Sequence, residues 1–230
     1  MIQFERLVKV AKVFSITGKY LRYSHKKESE IVNVKSLWAK DIINHFKINI
    51  QIIGKPTKQN EPCLFVGNHI SYLDIPILIH GCPELSFVSK KEVKSWPVIG
   101  YAAVKMQTIF IERSNANSRA AAKNQIATSL LTNKQKLAIF PSGTTSIIPT
   151  PFWKKGAFEI AVLNNIKVQP FRIRYEPKRA AAYIDADNFL VHMYQLFILK
   201  KIDVTLEFHE PVYIKDSIEE CSYWKKWCEE

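Results

Sequence analysis

The sequence predicts an α/β fold, with a mixed, largely parallel sheet covered by helices and preceded by two amphipathic helices. Short apolar stretches typical of buried strands alternate with longer helical patterns along residues 49–213. Glycine-containing and polar segments follow several of these stretches, as they do at the carboxyl ends of parallel strands. We therefore divide the chain into an N-terminal two-helix element at 1–48, a central α/β domain at 49–213 and a helical tail at 214–230.

The predicted elements follow from residue spacing. Strands are expected at 48–53, 64–67, 85–88, 107–111, 136–140, 168–175 and 204–208. Helices are expected at 1–23, 34–46, 72–79, 90–94, 100–104, 120–131 and 158–163, with one more at the C-terminus. The two N-terminal helices carry basic residues beside an apolar stripe. They either pack on the core or hold the protein on an anionic membrane surface.

The chain has 230 residues and a formal charge of +12, which indicates an anionic partner. Nucleic acid is not expected, because no recognition helix or RNA-binding aromatic strand is present. The four cysteines form no C-x-x-C pair, so neither a metal site nor a disulfide framework is predicted. We find no signal peptide and no apolar run long enough for a transmembrane helix. We expect a peripheral protein on the cytoplasmic face of a membrane.

The segment that carries chemistry is 68–74, where a buried strand ends and a helix begins. His69 and Asp74 stand five residues apart. If the turn brings them together, the carboxylate fixes the imidazole tautomer and leaves the other ring nitrogen free as a base. A structural alternative uses the same residues, since Ser71 and Asp74 also match a helix capping box.

Two further strand ends point to the same edge of the predicted sheet. One carries Arg113, and the other carries Ser142, Gly143 and Thr144, a glycine turn whose backbone N–H groups could hold a phosphate or an oxyanion. Lys154 follows shortly after. A base, an arginine, a glycine turn and a lysine suit acyl transfer to the hydroxyl of an anionic acceptor.

These segments resemble the ordered blocks of the glycerolipid acyltransferases, the 1-acylglycerol-3-phosphate acyltransferase type. N-H-I-S-Y-L-D at 68–74 is similar to the N-H-x-S-x-x-D block, I-F-I-E-R at 109–113 to the second block, and F-P-S-G-T-T-S at 140–146 to the third, F-P-E-G-T-R-S. The segments at 87–100 and 152–157 also resemble that family. The resemblance covers roughly residues 38–213.

The resemblance implies specific roles. His69 would deprotonate a lysolipid hydroxyl, which attacks the thioester of acyl-CoA or acyl carrier protein, and Asp74 would support the imidazolium. Arg113 would bind the acceptor phosphate with help from Ser142, Gly143, Thr144 and Lys154. No cofactor is implied beyond the acyl donor. The expected acceptor is 1-acylglycerol-3-phosphate, and the expected product is phosphatidic acid.

Two departures from the third block leave the acceptor open. Ser142 stands where the family has Glu, and Thr145 where it has the Arg that contacts phosphate. Lys154, Lys155, Arg172 or Arg174 could replace that arginine. Alternatively, the acceptor carries no phosphomonoester, as in a lyso-ornithine lipid.

A different class of function is a basic lipid-binding domain that has kept the fold without the chemistry. Gln107 replaces a usual Gly, which we interpret as tolerated strand variation. The spacing of His192 and His209 suggests no partners.

Overall fold

The computed structural model describes residues 2–23, 28–57, 62–112, 114–147, 152–184 and 187–230. Within these ranges, eight strands form one sheet and are numbered β1 to β8 in chain order. All seven predicted strands are confirmed, and β8 is an addition. The strand bounds are Ile48–Ile53, Cys63–Gly67, Ser86–Lys90, Ile109–Ile111, Leu137–Ile139, Lys167–Glu176, Ile202–Phe208 and Val212–Tyr213.

Helices cover both faces of this sheet, and those in the described ranges are numbered α1 to α9. A 3-10 helix, Lys91–Ser95, precedes α4. The short helices α7 and α8 were not predicted. The α-helix bounds are Ile2–Leu21, Glu28–His45, Asp74–Gly81, Ile99–Lys105, Ala116–Leu131, Gly156–Leu163, Lys178–Ala181, Phe189–Leu196 and Ser217–Glu229.

The strand order is β1-β7-β6-β2-β5-β3-β4, with β8 paired to β6. Neighbouring strands run parallel from β4 through β3, β5 and β2 to β6. β7 is antiparallel to β6, and β1 is parallel to β7. The predicted mixed, largely parallel sheet is therefore confirmed. β2 lies at its centre, so the polar turn that follows β2 opens at the middle of one sheet edge.

Alternation along the central strand builds two cores, one on each face of the sheet. Cys63 and Phe65 of β2 belong to one cluster, together with buried side chains of α2, α3 and α8. Leu64 and Val66 belong to the other, with side chains of α5, α6 and α9. β2 is fully buried on both faces, as expected for an inner parallel strand.

The two N-terminal helices differ in how they contact the core. α2 buries Ala39, Ile42, Ile43 and Phe46 in the first cluster, so it is part of the folded body. α1 contributes only partly buried side chains to that cluster. No helix in the described ranges has both the length and the apolar character needed to cross a bilayer.

The segment before β4 corrects our interpretation of Gln107. The residue lies in a turn before the strand begins and has a φ of 60°. This left-handed conformation disfavours side chains and favours glycine. Gln107 therefore has a backbone conformation that suits the Gly usual in the second block, and it is not simple strand variation.

Candidate active site

The turn after β2 is positioned by two neighbouring residues that have no reactive groups. At Gly67, a Cβ atom would collide with the backbone oxygen and the ring of Phe171, so glycine lets β2 approach β6 closely. The Asn68 side chain then continues the strand pairing, because its Nδ2 donates to Ile173 O and its Oδ1 accepts from Ile173 N, both at 2.8 Å. These contacts hold the start of the turn on the sheet and orient His69.

His69 and Asp74 form the predicted pair. The distance from His69 Nδ1 to Asp74 Oδ2 is 2.7 Å, and the carboxylate is fully buried while the imidazole keeps some exposure. An ionised carboxylate only accepts hydrogen bonds, so Nδ1 carries the proton and Nε2 is left with its lone pair. The pair can therefore accept a proton at Nε2 and stabilise the resulting imidazolium.

The same carboxylate also organises the start of α3. Asp74 Oδ2 accepts from the backbone N–H groups of Ile70 at 2.7 Å and Ser71 at 3.1 Å. The Ser71 hydroxyl accepts from Leu73 N at 3.3 Å. One carboxylate thus braces the turn and binds the imidazole. The capping box expected from Ser71 and Asp74 is not formed, because the N-cap of α3 is Leu73, which has no side-chain cap hydrogen bond.

Tyr175 is a fourth donor to Asp74 that sequence reasoning missed. Its hydroxyl donates to Asp74 Oδ1 at 2.5 Å from the buried end of β6. Burial, and then the neighbouring Asp74 charge, raise the pKa of Tyr175 well above its ordinary value, so the hydroxyl keeps its proton. The buried carboxylate consequently has donors on both oxygens, as an ion out of contact with water requires.

His69 is held from two further directions. Its ring stacks on Phe140, with centroids 4.0 Å apart and an interplanar angle of 13°. Its carbonyl oxygen accepts from Ser146 N at 2.9 Å. Both partners lie in the third block, so this loop packs directly on the turn of the first block.

An apolar cavity of about 390 Å³ opens beside His69. Its lining comes from α1 to α4, β3, α8 and the loop after β5, which means that the N-terminal helices form part of its wall. Most lining side chains are aliphatic or aromatic, including Val13, Trp38, Ile42, Phe46, Phe87, Val88, Val93, Trp96, Ile99, Met106, Phe140, Phe189 and Met193. Such a cavity is suited to a hydrocarbon chain.

The glycine turn after β5 reaches this cavity in part. Gly143 and Thr144 line it, and Gly143 has a φ of 70° that suits glycine. The Gly143 N–H donates to Phe140 O at 3.0 Å within the turn. The Ser142 hydroxyl donates to Thr144 O at 2.7 Å. Ser142 thus braces the loop in this structure.

Lys154 and Lys155 do not contribute to the lining of the cavity. Lys154 is exposed, and its backbone N–H donates to Pro141 O. Lys155 pairs with Glu159 at 3.2 Å. Arg113 lies outside the described residues, so its position stays a prediction.

The two arginines of β6 contact another part of the molecule. Arg172 pairs with Glu207 at 2.7 Å and donates to Trp227 O at 2.7 Å. Arg174 lies 3.7 Å from Glu207 and lines a separate polar groove. Neither contributes to the lining of the cavity beside His69.

Lys90, at the end of β3, does line the cavity and was not singled out from the sequence. Among the residues that the structure describes, no other lysine or arginine side chain lines the cavity. Ser89 and Thr145 line the same cavity. The sequence feature that could have identified Lys90 is its position in the K-K-E segment at 90–92, which lies in a region that resembles the family.

His192 has a partner, contrary to expectation. Its Nδ1 lies 3.1 Å from the Tyr72 hydroxyl. Both rings pack against Tyr183, and the Tyr72 ring also packs against Phe189 beside the cavity. Burial lowers the pKa of His192 from its ordinary value, so a neutral ring is favoured there. Throughout the described ranges, no group of three or more His, Cys, Asp or Glu side chains could hold a metal ion.

The site thus consists of a carboxylate-oriented imidazole beside an apolar cavity, at the carboxyl edge of a central parallel strand. The chain belongs to the acyltransferase family, whose model, described as Acyltransferase, matches residues 49–174. It is accordingly an O-acyltransferase.

Two bacterial relatives share the same enzyme name. The lyso-ornithine lipid O-acyltransferase of Pseudomonas aeruginosa is 32% identical over 180 residues, covering 76% of this chain and 68% of that protein. The lyso-ornithine lipid O-acyltransferase of Brucella abortus is 27% identical over 209 residues, covering 80% of this chain and 77% of that protein.

A third relative and a solved structure carry a different name. The 1-acyl-sn-glycerol-3-phosphate acyltransferase of Neisseria gonorrhoeae is 29% identical over 186 residues, covering 73% of this chain and 71% of that protein. In fold, the chain matches the crystal structure of the 1-acyl-sn-glycerophosphate acyltransferase PlsC from Thermotoga maritima with a TM-score of 0.71 at 18% identity. That match covers 100% of this chain and 95% of the other.

Proposed function

We propose that this protein transfers a fatty acyl group from acyl-CoA or acyl carrier protein to the free hydroxyl of a lysolipid. The observation that carries the proposal is the His69–Asp74 pair, joined at 2.7 Å beside an apolar cavity. A base without a cavity would not select a lipid, and a cavity without a base would only bind one. The combination of a base and an apolar cavity therefore argues against a purely lipid-binding role.

The chemistry needs one proton carrier. The acceptor hydroxyl gives its proton to His69 Nε2 as its oxygen attacks the thioester carbonyl carbon. The tetrahedral intermediate collapses, the C–S bond breaks, and the departing thiolate takes the proton back from Nε2. Asp74 stabilises the imidazolium that exists between the two transfers. The acyl group passes directly to the acceptor, without an acyl-enzyme.

The acceptor that we favour carries no phosphomonoester. Thr145 lines the cavity at the position where the family pattern has an arginine. Among the described lining residues, Lys90 is the one lysine or arginine. One lysine can pair with the single carboxylate of an ornithine head group, whereas a phosphate dianion calls for more cationic donors. The names of two relatives also favour a lyso-ornithine lipid.

The second candidate acceptor is 1-acylglycerol-3-phosphate, the one we first expected from the sequence. The Neisseria relative of that name supports it, as does the predicted role of Arg113. In either case we place the reaction at the cytoplasmic face of a membrane, where acyl-CoA and acyl carrier protein are present.

The test compares acceptors and donors in one assay. Purified protein is incubated with labelled acyl-CoA or acyl carrier protein and with each lysolipid, and ester product is counted. We expect greater turnover with lyso-ornithine lipid, and loss of about 10²-fold or more of the activity in His69→Ala. Absence of product with every lysolipid, or full activity in His69→Ala, would contradict the proposal.

A single substitution tests the acceptor assignment separately. Thr145→Arg restores the cation of the family pattern, so activity with 1-acylglycerol-3-phosphate should rise by about tenfold, the equivalent of one charge-assisted hydrogen bond. Thr145→Gln is the matched control, because it adds a long polar side chain without the charge. Equal effects of the two variants would show that charge at this position does not select the acceptor.

A further inference from the structure

The strand β1 forms one edge of the sheet. It pairs in parallel with β7, and within the described ranges no strand pairs with its outer side. An edge strand presents a row of unpaired backbone N–H and C=O groups to whatever lies beside it. Asn49, Gln51, Ile52 and Ile53 are exposed, so the described helices and loops leave most of this strand uncovered.

The hydrogen bonds to β7 determine which backbone groups of β1 point outwards. Lys47 O accepts from Ile202 N at 3.2 Å, at the start of the register that aligns Ile48 with Ile202. Because the backbone groups of successive residues in a strand point to alternate sides, the odd-numbered residues of β1 face β7 as Lys47 does. The N–H and C=O groups of Ile48, Ile50 and Ile52 therefore face away from the sheet.

β1 lacks the features that usually keep edge strands apart. Natural edge strands are short, or they carry charged residues, prolines or bulges. The strand at the opposite edge, β4, has three residues, and β8 has two. β1 has six residues, I-N-I-Q-I-I, and contains neither a charged residue nor a proline. A longer, uncharged edge of this kind indicates a surface for strand pairing.

The sequence of β1 is complementary to itself in the antiparallel direction. A pairing centred on Ile50 places Ile50 opposite its own copy, Ile48 opposite the second copy's residue 52, and Asn49 opposite the second copy's residue 51. Isoleucine then meets isoleucine on one face, and amide meets amide on the other. The outward backbone groups of the three isoleucines can exchange about six hydrogen bonds. No like charges meet within the pairing.

We propose that β1 is the contact surface for a second copy of this chain, joined edge to edge into one continuous sheet about a two-fold axis at Ile50. A two-fold contact uses the same patch on both copies, so a self-complementary strand is suited to a second copy more than to an unrelated strand. The axis is perpendicular to the sheet, so the face that packs on α2 lies on the same side in both copies. β2 is the fourth strand from this edge, so the contact is separate from the turn that carries His69.

Cysteine cross-linking of the full chain tests the register. In the proposed pairing, the two Cα atoms at position 50 lie about 5.5 Å apart, within the range that a disulfide spans. Ile50→Cys should therefore form a covalent dimer, measured by non-reducing electrophoresis, with copper phenanthroline as the oxidant. The four native cysteines are buried.

Ile52→Cys is the matched control for cross-linking. Its Cα atom would lie about 14 Å from that of its copy, because the two positions are four residues out of register. Ile52 is nevertheless the more exposed of the two positions. We expect several-fold more covalent dimer from Ile50→Cys than from Ile52→Cys, although random collision would favour the opposite order.

Two charge variants test the same contact in sedimentation velocity at a series of protein concentrations. Asn49→Lys with Gln51→Lys places lysine opposite lysine across the axis, so the dissociation constant of the dimer should rise by about tenfold. Asn49→Lys with Gln51→Glu is the matched control, since each lysine then lies opposite a glutamate and the dimer should be retained. Both positions are exposed, and circular dichroism checks that both variants fold.

Several outcomes would overturn the proposal. A chain that stays monomeric up to its solubility limit would contradict it. Equal cross-linking of Ile50→Cys and Ile52→Cys would mean that the edges collide without a fixed register. Equal dissociation constants for the two charge variants would place the dimer contact elsewhere. A monomeric chain whose β1 pairs with a strand of a different protein would assign the edge to that partner.

Dimer formation needs no turnover, so the test stands apart from the proposed function. His69→Ala should dimerise like the unaltered chain. A normal dimer without activity on any lysolipid would contradict the function and leave the contact supported.

Discussion

Asp74 shows how one buried carboxylate serves both the fold and the proposed chemistry. It accepts hydrogen bonds from His69, Tyr175 and two backbone N–H groups. The five-residue spacing to His69 was visible in the sequence because the turn is local. Tyr175 was not, since it lies 101 residues further along and only the pairing of β6 with β2 brings it to the site.

We predict that Tyr175→Phe lowers the catalytic constant by about tenfold, with little change in the KM for the acyl donor. Loss of one hydrogen bond to a charged group corresponds to roughly that factor and should also lower the free energy of unfolding by about 1 to 3 kcal/mol. Steady-state kinetics and urea denaturation measure the two effects. A purely structural role for the hydroxyl would lower stability and leave the catalytic constant of the folded protein unchanged.

Asp74→Asn is expected to act more strongly than Tyr175→Phe. An amide can donate to Nδ1 and so favour the tautomer that carries its proton on Nε2, which removes the free lone pair. Activity should fall by about 10²-fold or more. Activity close to that of the unaltered protein would show that Asp74 braces the turn without supporting the imidazole.

At the scale of elements, the turns were the least predictable part. Strand and helix positions follow from apolar spacing, and all seven predicted strands are present. Apolar spacing gives no indication of a residue with a positive φ that is not a glycine, as at Gln107, Lys134 and Asn165. α7 was missed because its four residues are too few to show a periodicity, and α8 spans only eight residues.

The turn between α5 and β5 offers a stability test. Lys134 is exposed and has a φ of 51°, which strains any residue with a Cβ. Lys134→Gly should raise the free energy of unfolding by about 0.5 to 1 kcal/mol and the Tm by about 1 to 4 °C. Lys134→Ala keeps the Cβ and removes the charge, so it should show no such gain in thermal unfolding. A higher Tm in both variants would show that removal of the Lys134 charge, and not relief of backbone strain, stabilises the protein.

For the whole molecule, the fold class was predictable and the placement of the N-terminal helices was not. Amphipathic spacing is the same whether a helix packs on a core or lies on lipid. Lys35 would have argued against burial of α2, yet its side chain is buried and donates to Leu85 O at 2.8 Å. This hydrogen bond links α2 to the residue just before β3.

This buried lysine makes the stability of the whole protein depend on pH. Burial lowers the pKa of Lys35 to about 8, whereas an unfolded lysine titrates near 10.4. Between these values the unfolded chain binds more protons, so stability should rise as the pH increases from 8 to 10.4, by about 3 kcal/mol at most. Below pH 8 both states are protonated, and this contribution is constant.

Lys35→Met should reduce that rise in urea denaturation curves measured from pH 7 to pH 10.5. Lys134→Met, at an exposed position, is the control and should retain it. Identical pH dependence in Lys35→Met and the unaltered chain would mean that Lys35 titrates normally in the folded state.

The stacking of His69 on Phe140 constrains how the proton can travel. A flip of the imidazole would break both its stack on Phe140 and its hydrogen bond to Asp74, so the ring is held in one orientation while it takes and returns a proton. In the proposed reaction, the same nitrogen must therefore meet the incoming alcohol and the departing sulfur in turn. Both atoms have to pass within reach of a stationary Nε2, so the two substrates must approach one point from neighbouring directions.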